Sequence, residues 1–401
     1  ECHRNIKILW RLVIFKEKQN RILSVTVKVL NNYDNYKLKD MDKGDKNMKY
    51  AAKAWKETEG AFLRNFNEQA QIDSVNGALA LRPQIETIID QIWEEGFDGI
   101  YFIGIGGTYA SSMQVEVYMR GRSKLPIYVE NAAEFLTTGN KRFTEKSVVI
   151  YSSVSGNTKE MVQLVDRVHE IGARVFAFID TPDSILTQPD KQDYLILYPM
   201  NEQLKFYMTA NYLMYKNGEF DEYDRYNKEM ETYLADALVQ VEKDSDEWAY
   251  EYAKNKVAFL KEHKDLPHYF IGSGNQYGAT YSYAMCYWEE QMWIRTKSIS
   301  CQEFFHGMQE IIVDDTPVTL FMGEDEQRPL AERVARFLPR VNGNYTIIDT
   351  KEFELKGISP EYRGTISHLV MHGVNNRVDA YMELFLRHPL SIRRYYRQFE
   401  Y

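Results

Sequence analysis

Cysteine is scarce in this 401-residue sequence, which has only Cys2, Cys286 and Cys301. The three are far apart and form no CxxC pair, which argues against a disulfide framework and a structural zinc site. Basic charge is not in excess either. The formal net charge is −9, whereas proteins that bind nucleic acid or membrane surfaces need basic faces. We therefore expect a cytoplasmic protein whose partners are neither nucleic acids nor membranes.

The chain also lacks an apolar run long enough to span a bilayer. The stretch IKILWRLVIF near its start is interrupted by Lys7 and Arg11 and is shorter than the roughly 20 residues that a spanning helix needs. Residues 1–47 carry 11 basic and 6 acidic residues, and their second half is polar enough to be disordered. We interpret residues 1–47 as a disordered or artefactual extension before a natural start at Met48, with a targeting or binding arm as the alternative.

What the sequence does contain is a regular alternation of apolar and helix-patterned segments. The apolar runs, rich in Val, Ile, Tyr and Phe, predict strands. They lie at 99–107, 125–130, 147–153, 173–180, 193–199, 268–275, 297–301, 317–323, 344–349 and 368–374. Because they are apolar throughout, the strands should be buried on both faces. We predict an α/β fold of parallel, doubly wound, flavodoxin-like sheets flanked by helices.

Two glycine turns divide the strands into two similar sets. IGIGGTYASS (103–112) and IGSGNQYGAT (271–280) each place a Gly-x-Gly turn after the first strand of a set, which indicates an internal repeat of a whole domain. We predict a first domain over residues 48–218, a helical connector over 219–264, and a second domain with a C-terminal tail over 265–401. Ligands of open α/β sheets bind at the strand ends near the switch point, where these turns should lie.

A hydroxyl-rich loop follows the third strand of the first set. In YSSVSGNTKEM (151–161), Ser153, Ser155 and Thr158 surround Gly156 just before an amphipathic helix. Unpaired N–H groups and a partial positive charge at a helix N-terminus make such a loop a seat for an anion. Helix capping by the same hydroxyls is the alternative.

The first glycine turn supplies the opposite wall of this predicted anion pocket, through Gly106, Gly107 and Thr108. A dinucleotide fingerprint would need a third glycine where Tyr109 stands. We therefore favour a small phosphate pocket and expect no cofactor. A nucleotide site stays open as the alternative, because Glu130 near the end of the next strand could contact a ribose.

These motifs carry a resemblance. GIGGTYAS, the NAAEF stretch (131–135) and S-x-S-G-x-T at 153–158 resemble the sugar isomerase (SIS) domain. The two-copy layout over about residues 60–401 is similar to the isomerase half of glutamine-dependent glucosamine-6-phosphate synthase and to the fructosamine-6-phosphate deglycases. The resemblance implies two tandem SIS domains, an enzyme without metal, and a small-molecule sugar phosphate bound by the hydroxyl loop.

The resemblance also points to two candidate catalytic residues. Glu290 and His306 are 16 residues apart, the spacing of the base glutamate and the catalytic histidine in the isomerase relatives. Moving a proton between adjacent sugar carbons needs one group for carbon and another for oxygen or nitrogen, which a carboxylate and an imidazole provide. The plain alternatives are a surface acid and a loop histidine. The deglycase turn usually continues His-Gly-Pro, and here Met308 follows Gly307.

At two positions this sequence differs from the synthase, and these differences favour the deglycases as its relatives. Arg394 stands where the synthase has a ring-opening lysine, and an arginine stays protonated and cannot form that imine. Tyr287 replaces a second synthase lysine, three residues before Glu290. By contrast, the tail HPLSIRRY, the segment YGATYSYAMCYWEEQMW and the EFFHG turn are similar to the deglycases.

The function implied by the resemblance is cleavage of a fructosamine 6-phosphate, such as fructoselysine 6-phosphate, to glucose 6-phosphate and a free amine. Glu290 would take the C1 proton, and His306 would assist ring opening or move the oxygen proton. Arg393 or Arg394 would steady the phosphate or a developing oxyanion, and Tyr287 could contact the substrate. The alternatives are an aldose–ketose isomerase of sugar phosphates and a non-catalytic sugar-phosphate sensor.

Two further expectations concern assembly and metal. In SIS relatives the histidine turn reaches the neighbouring subunit, which implies a homodimer with shared active sites. We expect the aromatic residues around this turn to suit a subunit interface; they are Trp288, Trp293, Phe304 and Phe305. His368 and His372 have metal-ligand spacing, but HLVMH reads as a strand end without the HExxH glutamate, so we expect no metal site.

Overall fold

The computed structural model describes residues 62–398, and the residues from Leu63 onward form one compact unit. The extension predicted for residues 1–47 lies outside the described residues, as do the last three residues of the chain. None of the helices between residues 62 and 398 combines the length and the apolar character needed to cross a membrane.

The strands of this unit are short, and most are followed by a helix. The strands are β1 (Ile100–Gly104), β2 (Ile127–Asn131), β3 (Val148–Ser153), β4 (Arg174–Ile179), β5 (Tyr194–Leu197), β6 (His268–Gly272), β7 (Thr296–Ser300), β8 (Val318–Met322) and β9 (Tyr345–Asp349). Nine of the ten predicted strand segments therefore contain a strand.

The helices vary from one turn to eleven. They are α1 (Glu68–Leu79), α2 (Arg82–Glu95), α3 (Gly107–Arg120), α4 (Ala132–Thr138), α5 (Lys159–Ile171), α6 (Glu202–Lys216), α7 (Tyr223–Glu262), α8 (Asn275–Ser282), α9 (Cys301–Phe304), α10 (Arg328–Phe337) and α11 (Pro360–Leu386). A π-helical segment, Tyr283–Glu289, follows α8 directly. Short 3₁₀ turns lie at Ile185–Thr187, Pro189–Lys191, Met308–Ile311, Leu338–Arg340 and Thr350–Glu352.

The first sheet has five parallel strands in the order β2-β1-β3-β4-β5. Every residue of β1 and β3 is buried, because helices cover both faces of a parallel sheet. Helix α5 is one such cover: Met161, Leu164, Val165 and Val168 recur at helical spacing and join the core beneath β3 and β4. The predicted α/β, doubly wound fold is confirmed.

The second sheet repeats this strand order with one strand fewer, β7-β6-β8-β9. The glycine turns also match: Gly106 and Gly274 cap α3 and α8 with φ of +62° and +60°, a backbone conformation that glycine adopts without a steric penalty. The sheets therefore confirm the internal repeat read from the two Gly-x-Gly motifs.

The tenth predicted strand, residues 368–374, is wrong: these residues lie inside α11. Between Ser367 and Val374 every residue except His372 is buried, so this part of the helix is apolar on nearly all sides. A fully buried helix and a fully buried strand both give an unbroken apolar run, and periodicity alone does not separate them.

Helix α7 is 40 residues long and packs along α11. Arg377 of α11 pairs with Glu242 and Asp246 of α7 at N–O distances of 3.1 and 3.5 Å, and all three are buried. The hydroxyl of Tyr381 also donates to Asp246 at 2.7 Å. A buried charge is costly unless it is paired in this way, so the contacts fix the register of α7 against α11.

The expectation that the aromatic residues around the histidine turn lie at a subunit interface is wrong for Trp288 and Phe304. Both are fully buried within the chain. The Trp288 ring packs on His268 at 4.5 Å, and Phe304 packs on Phe337 of α10 at 5.8 Å. The second domain has enough core to bury these rings, a possibility that the local sequence does not reveal.

Candidate active site

The loops that follow β1 and β3 lie side by side at the carboxyl end of the first sheet. These strands are parallel neighbours with Ile100 opposite Val148, and β1 carries β2 on its other side. The chain therefore leaves β1 and β3 in opposite directions across the sheet, which makes this edge the topological switch point. Residues of both predicted walls of the anion pocket line one cavity here, Gly107 and Thr108 from the first wall and Ser153, Ser155 and Thr158 from the second.

The hydroxyl loop is shaped by its own hydrogen bonds. Ser153 Oγ accepts from the backbone N–H of Gly156 at 3.1 Å, and Ser155 Oγ accepts from that of Asn157 at 3.2 Å. Gly156 has a φ of +60°, and a Cβ there would lie 1.9 Å from Ser184 Oγ. Only glycine fits this turn without displacing its neighbour.

Thr158 occupies the N-cap position of α5, but its side chain makes no capping hydrogen bond. Its hydroxyl lies 3.5 Å from Ser155 Oγ instead. The first N–H groups of α5 therefore lack the usual side-chain acceptor. This arrangement favours an anion seat over the capping alternative.

The loop opens onto a cavity of about 540 Å³, which we call the strand-end cavity. Of the predicted site residues, it brings together Gly107, Thr108, Ser153, Ser155, Thr158, Tyr287 and Glu290. Its other polar lining comes from Ser111, Ser152, Asp180, Asn201, Glu202, Gln203, Ser282, Cys286, Gln291, His372, Tyr396 and Arg397. The first SIS-like half supplies the loop, and the second half supplies the carboxylate of Glu290.

Glu290 immediately follows the π-helical segment. Its Oε1 accepts from Arg393 Nε at 2.7 Å. Within residues 62–398 no partner is seen for Oε2, which leaves that oxygen for a ligand. Arg393 thus contacts the predicted base and does not line the cavity, and its other N–H groups donate to the carbonyls of Leu390 and Ile392.

A hydrogen bond to helix α11 holds the π-helical segment in place. Tyr283 donates its hydroxyl to Asp379 Oδ1 of α11 at 2.7 Å, and burial raises the pKa of Asp379 to about 7. Burial also raises the pKa of Tyr287 above its ordinary value, so its phenol stays neutral at physiological pH. Such π-helical insertions often occur at functional sites, and here the insertion directs Tyr287 and Glu290 into the cavity.

Arg397 is a site residue that sequence reasoning missed. It donates to Ser155 Oγ at 2.9 Å. The C-terminal tail thus brings a guanidinium to the hydroxyl loop, although the two residues are 242 positions apart in sequence. The signal was present in the basic tail RRYYRQFEY, but nothing in the sequence shows which tail arginine turns toward the loop.

Glu202 was also missed. It is the first residue of α6, and it faces the cavity beside Ser111 and Ser152. Burial raises the pKa of its carboxyl above the usual value. An acid in the first turn of a helix is common in any protein, so the sequence carried no distinguishing signal for it.

Four other predicted site residues do not line the strand-end cavity: Gly106, Gly156, His306 and Arg394. His306 is exposed on the turn after α9, and the Arg394 guanidinium lies over the Trp293 ring at 4.1 Å. His368 and His372 lie one turn apart on α11. Burial lowers the pKa of both, that of His368 to about 3. Among the described residues, no group of three or more His, Cys, Asp or Glu is placed to hold a metal ion.

Comparison with known proteins agrees with this architecture. Residues 97–215, which contain the hydroxyl loop and Glu202, match the SIS domain family. The chain is 28% identical over 79% of its length to fructosamine deglycase FrlB of Bacillus subtilis (strain 168), of which the match covers 97%. It is 22% identical over 78% of its length to fructoselysine 6-phosphate deglycase of Escherichia coli (strain K12), with 90% of that protein covered.

Solved structures show the same fold. A Bacillus subtilis protein provisionally named a phosphosugar isomerase superposes with a TM-score of 0.72 at 26% identity, covering 81% of this chain and 99% of that one. The C-terminal domain of glucosamine-fructose-6-phosphate aminotransferase from Francisella tularensis superposes with a TM-score of 0.66 at 12% identity, covering 80% and 95%.

Residues 97–215 are thus similar to a SIS domain, and the fold contains a second sheet with the same strand order and one strand fewer. The resemblance to double-SIS sugar-phosphate enzymes, and most of all to the fructosamine deglycases, is confirmed. The expectation that the chain is an enzyme is confirmed as well.

The anchoring acid under the π-helical segment should make stability depend on pH. The pKa of Asp379 is about 7 in the folded protein against 3.8 for the free side chain, so the folded state holds a proton that the unfolded chain releases between these values. The stabilisation that the protonated Asp379 carboxyl gives to the folded state is therefore present at acid pH and lost as the pH rises through 7. We expect the unfolding free energy to fall by up to about 1.4 kcal/mol per pH unit in this window.

Urea denaturation between about pH 4 and pH 8 measures this dependence. Asp379→Asn should flatten the slope, because an amide does not titrate. Asp265→Asn, which removes a carboxylate that is 93% exposed, should leave the slope unchanged. An Asp379→Asn variant with the wild-type slope would show that another group is responsible.

Proposed function

We propose that this chain is a fructosamine-6-phosphate deglycase, which converts a phosphorylated Amadori product and water to glucose 6-phosphate and a free amine. The observation that carries the proposal is one cavity of about 540 Å³ that is lined by both the hydroxyl loop and Glu290. An anion seat and a base in one cavity suit an open-chain sugar phosphate whose reacting carbons lie at the end remote from its phosphate.

In this proposal the phosphate group occupies the hydroxyl loop. The N–H groups of the first turn of α5 and the hydroxyls of Ser155 and Thr158 donate to its oxygens. Arg397 already donates to Ser155 Oγ at 2.9 Å, so a small rotation brings its guanidinium onto the same anion. The names of the relatives support a sugar phosphate as the ligand.

The chemistry is a proton transfer followed by hydrolysis. Glu290 takes a proton from C1 of the ketosamine, and the C1–H electrons form a C1–C2 double bond while the C2 carbonyl oxygen gains a proton. The resulting enaminol is protonated at C2, which leaves a C1–N double bond. Water adds to C1, the C1–N bond breaks, and the amine leaves with a proton. Atoms balance with one water consumed and no redox change.

Glu202 is suited to a second proton-transfer role. It faces the same cavity as Glu290, and its raised pKa favours the protonated form that a general acid needs. Two carboxyl groups in different environments provide a base and an acid in one site. Glu202 would protonate the C2 oxygen or the departing nitrogen.

His306 reaches a site only across a subunit boundary in this proposal. It is exposed within its own chain and does not line that chain's strand-end cavity. A neighbouring subunit of a homodimer would place it at the partner's cavity, where an imidazole can assist ring opening.

Loss of the hydroxyls should weaken phosphate binding. We expect Ser155→Ala combined with Thr158→Ala to raise the KM for fructoselysine 6-phosphate about 10²- to 10⁴-fold, because each of the two charge-assisted hydrogen bonds lost contributes roughly 1.5 to 3 kcal/mol. Amine release measures the effect. Thr137→Ala with Thr138→Ala removes two exposed hydroxyls that bond only within α4 and should leave KM unchanged. An unchanged KM in the folded Ser155/Thr158 variant would remove the phosphate assignment.

Loss of the base should abolish turnover without abolishing binding. Glu290→Gln keeps an oxygen for Arg393 but cannot accept the C1 proton, so we expect kcat to fall about 10²- to 10⁴-fold. Calorimetric titration with glucose 6-phosphate should give an affinity within a few-fold of wild type. Glu145→Gln, a change at an exposed surface acid, is the control. A kcat within a few-fold of wild type would reassign the base.

Shared sites should permit complementation. Glu290→Gln and His306→Ala subunits are each expected to be inactive alone. Once mixed and exchanged, a hybrid dimer has one site with both intact residues, so we expect up to about half of the wild-type activity per hybrid dimer. Light scattering should show a dimer. If subunits exchange, as proven with two affinity tags, and activity does not return, then Glu290 and His306 do not meet across an interface.

A further inference from the structure

A second cavity adjoins the strand-end cavity at Glu290. It has a volume of about 720 Å³, and we call it the tail cavity because residues 393–396 form one wall. Trp293 and Thr296 also line it, and Glu290 and Tyr396 line both cavities. The carboxylate proposed as the base therefore stands at the junction of the two spaces.

The three arginines of the tail are used differently. Arg393 is bound to Glu290, and Arg397 to Ser155. Arg394 is exposed and lies over the Trp293 ring at 4.1 Å. Across residues 62–398 it has neither a carboxylate partner nor a hydrogen bond. Stacking on an aromatic ring holds a guanidinium in place while its edge N–H groups remain available for a planar anion such as a carboxylate.

The direction of the substrate connects these observations. If the phosphate occupies the hydroxyl loop and C1 lies at Glu290, then the nitrogen on C1, with everything attached to it, points away from the loop. The tail cavity also borders Glu290, and no residue of the hydroxyl loop lines it, so it offers a space for this substituent. Its volume of about 720 Å³ gives room for a substituent as well as for the amine nitrogen.

We propose that the tail cavity binds the amine portion of the substrate, and that Arg394 on its Trp293 platform binds the carboxylate of an amino-acid amine. The inference rests on the proposed deglycase function and assigns the residue that would select the amine. Arg394 is then a specificity-determining residue that acts on the leaving group. An amine without a carboxylate would leave the guanidinium without an anion in the complex.

The other charges of the tail cavity are already engaged. Glu289 accepts hydrogen bonds from the hydroxyl and the N–H of Thr296. Arg295 points outward and pairs with Asp265 at 2.6 Å, where both side chains are largely exposed. Arg394 is therefore the cavity's available cation among the described residues. The acids nearby disfavour a substituent that carries several negative charges.

The test uses two pairs of synthetic fructosamine 6-phosphates, in which the members of a pair differ chiefly in the carboxylate. One pair carries glycine or glycinamide. The other carries lysine, linked through its ε-nitrogen, or cadaverine, which is lysine without its carboxylate. Amine release gives kcat/KM for each compound. We expect the wild-type enzyme to prefer the carboxylate member of at least one pair about 10- to 100-fold.

The variants separate the roles of the tail arginines. Arg394→Gln should reduce this preference toward 1, mainly by raising KM for the carboxylate member, and Arg394→Lys should restore part of it. Arg397→Gln is the matched control: it should raise KM for both members of a pair alike and keep their ratio, because the phosphate is common to both.

Each outcome is decisive. Equal kcat/KM within both pairs for the wild-type enzyme would overturn the inference, and so would an Arg394→Gln variant that loses both members equally, since Arg394 would then act on the phosphate or the reacting atoms. In these two cases amine release still occurs and the proposed function stands. If the wild-type enzyme releases amine from none of the four compounds, the proposed function fails, and this inference with it.

Discussion

The contact between Arg393 and Glu290 is the constraint on which the candidate site depends. It joins the C-terminal tail to the end of the π-helical segment at 2.7 Å. Both side chains are partly exposed, and such pairs contribute only about 0 to 1 kcal/mol to stability. The importance of the pair is that it fixes the position of the C-terminal tail beside Glu290. With Arg393 held there, Arg394 lies over Trp293 and Arg397 reaches Ser155.

The tail needs further support, because one ion pair does not order a segment. His388 bonds the carbonyl of Gln291 at 2.8 Å, and the N–H of Leu390 donates to Glu383. The π-helical segment, in turn, rests on α11 through Tyr283 and Asp379. The C-terminal tail, which is held by a few partly exposed contacts, thus rests on the buried helix α11 and the π-helical segment. Buried elements of this kind keep the residues of a site in position.

Much of the site could be predicted because its residues lie in motifs that are local in sequence. The hydroxyl loop is one example: Ser153, Ser155, Gly156 and Thr158 are within six residues, and the short-range geometry of a strand, a turn and a helix N-terminus decides where they lie. Glu290 was found through its spacing from His306, which is a property of the resemblance and not of local physics. Arg397 and Glu202 were missed because no local pattern marks them.

The sequence by itself determined the α/β class, nine of the strands, the repeated glycine turns and the position of the hydroxyl loop between β3 and α5. Each depends on periodicity or on the backbone freedom of glycine, which act over a few residues. Only the tertiary structure decided that residues 368–374 are helical, that Trp288 and Phe304 are buried, and that a tail more than 200 residues away meets the hydroxyl loop. All three features depend on contacts between segments that are distant in sequence. Such contacts produce no periodic pattern in the local sequence, so sequence analysis does not detect them.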